Sequence, residues 1–154
     1  MVGPFGFDAG GFAADAGGIS IALQHPSIGF PADACRILLE HVLDEEGVEL
    51  RRLLVVLADH ATVLDINRRF LDHDYHTDVL AFDYGAAEGA VEGEIYVDLD
   101  TARERHAEFA AGFREEVLRY AVHGLLHLIG YSDKTDSGEA EMQALEDRYL
   151  EAAS

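Results

Sequence analysis

Cysteine occurs once in this chain, lysine once and proline three times. A single cysteine, Cys35, excludes an internal disulfide. It fits a reducing compartment and a place in a helix interior. No run of residues is apolar for the length a membrane span needs, so no membrane partner is expected. The amino end lacks a basic stretch followed by a hydrophobic one, which reads as no secretory leader. A cytoplasmic protein is the expectation. Basic residues are scarce too: 11 against 30 acidic ones, for a net charge of −19. That balance argues against direct binding of bare nucleic acid, because phosphate binding normally leaves a basic footprint. Ten of the eleven are Arg, and Lys134 is the lone Lys. An acid-rich, Lys-poor surface suits a protein adapted to high internal salt. At about 1 M salt the Debye length falls to about 3 Å. Self-repulsion is then screened, and so is repulsion of a polyanionic ligand.

What is present suffices for one domain. The chain has 154 residues and is 49% apolar, enough for a sizeable core. Residues 1–18 are rich in Gly, Ala and Asp with no steady period, and read as a loose arm. Residues 19–154 read as a single domain without repeats or an internal linker. Ile19, Ile21 and Leu23 alternate as a strand. Ala32 to Glu46 has helical spacing at Ala34, Ile37, Leu38, Val42 and Glu46, and Gly47 ends it. Leu53 to Leu57 suits a central strand, and Ala61 to Leu71 a helix. Val79 to Tyr84 and Glu94 to Leu99 read as a hairpin around a Gly/Ala/Glu loop, with Glu94 a solvated strand residue. Asp100 to Phe109 reads as a polar helix and Glu115 to Ile129 as a buried one. Asp136, with Glu139 three residues on, opens a last helix in the manner of a capping box. Met142, Leu145 and Tyr149 form its inner stripe. The order β-α-β-α-β-β-α-α-α predicts an α+β fold. In it a small mixed β-sheet is covered by helices, and a buried central helix carries two His.

Those two are His123 and His127, in His123-Gly124-Leu125-Leu126-His127-Leu128-Ile129-Gly130-Tyr131-Ser132-Asp133. Residues four apart on a helix share a face. Gly130 is a natural stop, after which the chain can turn back and offer Asp133 to the same ion. Two His and one carboxylate leave a coordination position open, as catalytic zinc sites do. The plainer reading of two His on a buried helix is a pair of hydrogen-bonded core residues. A metallopeptidase-type HExxH is excluded, since Gly124 stands where its glutamate would.

The His run resembles the signature of the YbeY family of rRNA maturation endoribonucleases, His-Gly-x-Leu-His-Leu-x-Gly-Tyr-Asp-His. Ile66-Asn67 through Asp74-Tyr75-His76-Thr77-Asp78-Val79-Leu80-Ala81-Phe82 is similar to the family's Leu-Asn…Asp-x-Pro-Thr-Asp-Val-Leu-Ser-Phe segment. Gly93-Glu94-Ile95 is similar to its Gly-Asp-Ile. These matches run in the family's order from Ile66 to Tyr149. The resemblance implies a single-strand-specific, metal-dependent endoribonuclease. Its work would be 16S rRNA 3′-end maturation and ribosome quality control, with zinc as the metal. His123 and His127 match the first two ligands. Asp133 stands where most members have the third His, and Asp133-Lys134 fits a subgroup ending. These three are the expected catalytic and metal residues, and the carboxylate leaves another transition metal open. Leu71 replaces an Arg that would contact phosphate, so Arg68 or Arg69 is the expected substitute. Thr77 and Asp78 are expected near the substrate or hydrogen-bonded to the ligand His rings. Their plainer reading is a turn leading into the strand at Val79. The implied partners are single-stranded RNA, small-subunit rRNA and the ribosome. A basic ribosomal protein or an assembly GTPase could deliver so acidic a nuclease. Two other readings stay open: a non-catalytic ribosome-assembly protein with a structural metal, and a zinc hydrolase of amide or peptide substrates.

Overall fold

The computed structural model describes residues 18–71, 78–109 and 112–153. The expected N-terminal arm therefore lies outside the described residues. The elements are β1 (Gly18–Gln24), α1 (Ala32–Glu46), β2 (Glu49–Ala58), α2 (His60–Leu71), β3 (Val79–Asp83), β4 (Ala90–Asp98), α3 (Leu99–Phe109), α4 (Phe113–Ile129) and α5 (Asp136–Ala153). This is the expected order and class, a mixed sheet covered by helices.

The sheet order is β1-β2-β4-β3, with β1 and β4 parallel to β2 and β3 antiparallel to β4. β2 is central and covered on both faces, so Leu53 to Ala58 is a continuous buried run rather than an alternating one. Side chains still alternate between faces. Leu53, Val55 and Leu57 join the core built with Leu38 and Leu39 of α1, Leu125 of α4 and Met142 of α5. Leu54 and Val56 face the other way, against Val63 and Ile66 of α2 and Phe82 and Tyr96. The layer that matters for chemistry is the first, where α4 crosses β4 and β3.

Glycine sets how close that crossing is. A Cβ on Gly124 would stand 2.8 Å from Ile95 Cγ2 and 3.2 Å from Val79 Cγ2, so only hydrogen fits between helix and sheet. α4 is buried along Val117, Ala121, Leu125 and Leu128. Its less buried stripe runs Arg119, His123, His127, one turn apart each, and looks over the β3 edge.

Several expectations need correction. β4 starts at Ala90, four residues before the expected start, because Ala90 and Val91 pair with Glu49 and Leu50 beyond the end of β3. Ile37 is 64% exposed rather than inward. Glu94 is buried, not solvated. It lies on the α2 face, where the hydroxyls of Tyr84 and Tyr96 donate to its carboxylate. The cap of α5 is Thr135, whose Oγ1 accepts from the Gly138 N–H at 3.0 Å. Cys35 lies buried in α1 as expected, and burial pushes its thiol up to about 12.

Candidate metal centre

Gly130 ends α4 with φ 128°, a conformation side chains rarely adopt. Its N–H donates to the carbonyls of Leu126 and His127 at 3.1 Å, and the Tyr131 N–H donates to Leu126 O at 3.0 Å. These bonds reverse the chain. Tyr131 then anchors the loop to α1, its hydroxyl donating to Glu46 Oε1 at 2.7 Å. Downstream, the Ser132 carbonyl packs so tightly against Gly138 that a Cβ there would stand 2.2 Å from it. Held at both ends, the loop brings Asp133 against the two His.

The three candidate ligand atoms form a small triangle. His123 Nε2 and His127 Nε2 are 3.0 Å apart. Asp133 Oδ2 is 3.3 Å from the first and 3.5 Å from the second. A tetrahedron with bonds of about 2.0–2.1 Å has edges of about 3.3–3.4 Å. The triangle therefore fits one face of a tetrahedral transition-metal site, with the fourth vertex unclaimed by these three. The donor set, two imidazoles and a carboxylate, suits zinc-like or iron-like ions. Among the described residues this is the one His/Cys/Asp/Glu group compact enough to hold an ion. The cluster is a quarter to two-fifths exposed, so water and substrate can reach it.

The surroundings are strongly acidic. A cavity of about 180 Å³ at the cluster is lined by Asp78, Val79, Ala81, His123, Gly124, His127 and Asp133. Beside it lies a polar cleft of about 630 Å³ that shares His123 and Asp78. Burial of the His123 ring disfavours its charged form. The hydrogen bond and charge of Glu146, with Asp133 and Asp78 beyond, outweigh that and raise its pKa above the ordinary value. His123 Nδ1 and Glu146 Oε2 are 2.6 Å apart.

The other expected site residues divide. Asp78 lines the cavity, but its carboxylate accepts from Arg105 Nη1 at 3.4 Å. Glu146 takes the place at the second nitrogen of His123 that was expected for Thr77 or Asp78. Thr77 lies outside the described residues. Arg68 and Arg69 are exposed on α2, which packs on the opposite face of the sheet, and Arg69 pairs with Asp65 at 3.3 Å. Neither is among the described residues lining the cavity or the cleft. The cations that line the cleft with His123 are Arg105 and Arg119. Arg105 left no sequence signal, since a polar face on α3 reads as solvated. Glu146 left one: it falls four residues after Met142 and three before Tyr149, on the apolar stripe of α5.

Comparison with known proteins gives a consistent result. The family model described as Endoribonuclease YbeY matches residues 24–154. The chain is 49% identical over 142 residues to the Endoribonuclease YbeY of Salinibacter ruber, covering 87% of this chain and 90% of that protein. It is 38% identical over 120 residues to that of Chlorobium phaeobacteroides strain BS1, covering 78% and 86%. Among solved structures it is similar to the solution structure of TM1509 from Thermotoga maritima, with TM-score 0.61 and 29% identity over 87% of this chain and 89% of that one.

Proposed function

The chain belongs to the YbeY family of endoribonucleases, and from that premise we propose that it is a metal-dependent, single-strand-specific endoribonuclease. Its proposed task is 16S rRNA 3′-end maturation and ribosome quality control. The carrying observation is the Nε2, Nε2, Oδ2 triangle with edges of 3.0, 3.3 and 3.5 Å. His123, His127 and Asp133 would hold one transition ion, and zinc is the one we propose, the near-tetrahedral edges and the donor set supporting it. Such an ion, when bound, supplies an activated water and polarises a phosphate oxygen.

The chain's own residues then have separable tasks. Glu146 holds His123 in place. Asp78 lines the cavity with Asp133 and engages Arg105. Arg105 lines the cleft half-exposed and pairs with Asp78 at 3.4 Å; its proposed task is to exchange that partner for a substrate phosphate. Arg119 cannot take one without giving up Glu146 and Asp147. The narrow cavity against the β3 edge favours a single strand, whose backbone can bend into it, over a stiff duplex.

So acidic a site calls for help in capturing RNA. Asp78, Glu115, Glu116, Glu139 and Glu146 line the cleft against two Arg. We infer that a ribosomal protein or an assembly GTPase presents the small-subunit rRNA, which places the work in the cytoplasm. The same acidity favours the second reading, a non-catalytic assembly protein. No described helix is long and apolar enough to cross a membrane.

Cleavage of end-labelled single-stranded and duplex RNA by the wild-type chain and His127→Ala separates the readings. Single-strand cutting that disappears in a folded His127→Ala supports the nuclease. Rebinding to immature small subunits without any cutting supports the assembly protein.

A further inference from the structure

Glu146 is a carboxylate in an apolar place. Met142, Tyr149 and Leu150 share its stripe on α5 and are buried in the core, and Glu146 itself is 5% exposed. A buried charge is kept only where it is paired and hydrogen-bonded. Both of its oxygens are engaged. Oε2 lies 2.6 Å from His123 Nδ1, and Oε1 accepts from Arg119 Nη1 at 3.2 Å. Arg119 stands one turn before His123 on α4, and its Nη2 donates to Asp147 Oδ1 at 2.7 Å. The chain of contacts runs Asp147, Arg119, Glu146, His123.

An ionised carboxylate only accepts hydrogen bonds. The contact therefore puts a proton on Nδ1, and in the neutral ring that leaves the Nε2 lone pair facing His127 and Asp133. We propose that Glu146 is a positioning residue of the metal centre. By accepting from Nδ1–H it fixes the orientation and tautomer of His123, and Arg119 holds the carboxylate in register. Glu146 is not one of the three candidate ligands; it acts through His123. The inference rests on the reading of His123, His127 and Asp133 as metal ligands. A contact that merely staples α5 to α4 would change melting temperature and leave metal affinity per folded chain alone.

Zinc affinity of the wild-type chain, Glu146→Gln and Glu146→Ala, measured by chelator competition, tests the proposal. Long-range ¹⁵N NMR of the neutral His123 ring in the metal-free wild type accompanies it. We expect Glu146→Ala to bind zinc about 10–100-fold more weakly, the usual loss on removing such a partner. Glu146→Gln keeps an accepting oxygen and should lose less. The wild-type ring should carry its proton on Nδ1. Folded Glu146→Ala with affinity unchanged beside an intact wild-type site would overturn this inference alone, as would a wild-type proton on Nε2. The NMR arm needs no variant, so it decides even where Glu146→Ala fails to fold. A wild-type chain that binds no zinc overturns the metal reading, and this inference with it.

Discussion

Asp133 carries the departure from the three-His pattern, so it is the residue whose replacement says most. Asp133→Ala removes one vertex of the ligand triangle. Losing a ligand should weaken zinc binding by more than the 10–100-fold typical of a supporting residue. Asp133→His, which restores the common pattern, should keep zinc and activity. Calorimetric zinc titration of both variants checks this; equal binding by wild type and Asp133→Ala would remove Asp133 from the site. Tyr131, two residues earlier, gives a pH test. Its hydrogen bond to Glu46, with burial, pushes the phenol up to about 12. The ordinary tyrosine value is about 10. The fold thus favours the neutral phenol, and below about pH 10 that stability is fully present. It is lost as pH rises towards 12. Urea midpoints should fall across that window and fall less steeply in Tyr131→Phe. Parallel pH profiles would contradict the assignment.

At the scale of elements, the site depends on two close approaches. Gly124 lets α4 settle on Ile95 and Val79. Gly124→Ala gains about 1 kcal/mol of helix propensity but meets Ile95 in a packed core. A net loss of up to about 2 kcal/mol in chemical unfolding is expected. Gly138 lets the Ser132 carbonyl approach the start of α5. A Cβ there must push the Asp133 loop away, because backbone cannot yield as a side chain does. Gly138→Ala should therefore lower zinc affinity more than it lowers stability. The opposite order, seen by chelator competition beside urea unfolding, would show that the loop moves without moving Asp133. These elements differ in how far sequence could reveal them. His123, His127, Gly130 and Asp133 are local, and helical spacing plus one glycine stop is enough to read them. Glu146 meets His123 across 23 residues, so only its misfit on an apolar stripe hinted at it. Ile37 and Glu94 read wrongly for different reasons. Ile37 lies on the side of α1 opposite the buried stripe of Cys35, Leu38, Leu39, Val42 and Leu43, so its apolar character misled. Glu94 is polar, and two tyrosines cover it.

For the whole molecule the dominant quantity is the net charge of −19. It is spread over surface, cleft and site alike, and it opposes both compaction and the approach of RNA. Raising NaCl from about 0.1 M to about 1 M shortens the Debye length from about 10 Å to about 3 Å. Stability should rise over that range. Urea midpoints independent of salt would count against adaptation to a salty interior. Composition and element order gave the fold class, because the periods of 2 and 3.6 are written into each segment. The docking of α5 beside α4, and hence the acidic cleft, had no such period to read. The proposed role of His123, His127 and Asp133 is to cut RNA through one metal ion. It is tested most directly by stripping metal from the protein and returning zinc stepwise while following cleavage of a single-stranded RNA. Cutting should stop on stripping and recover to a plateau near one zinc per chain, with no recovery in His127→Ala. Cutting that survives metal removal, or that recovers equally in His127→Ala, would contradict it.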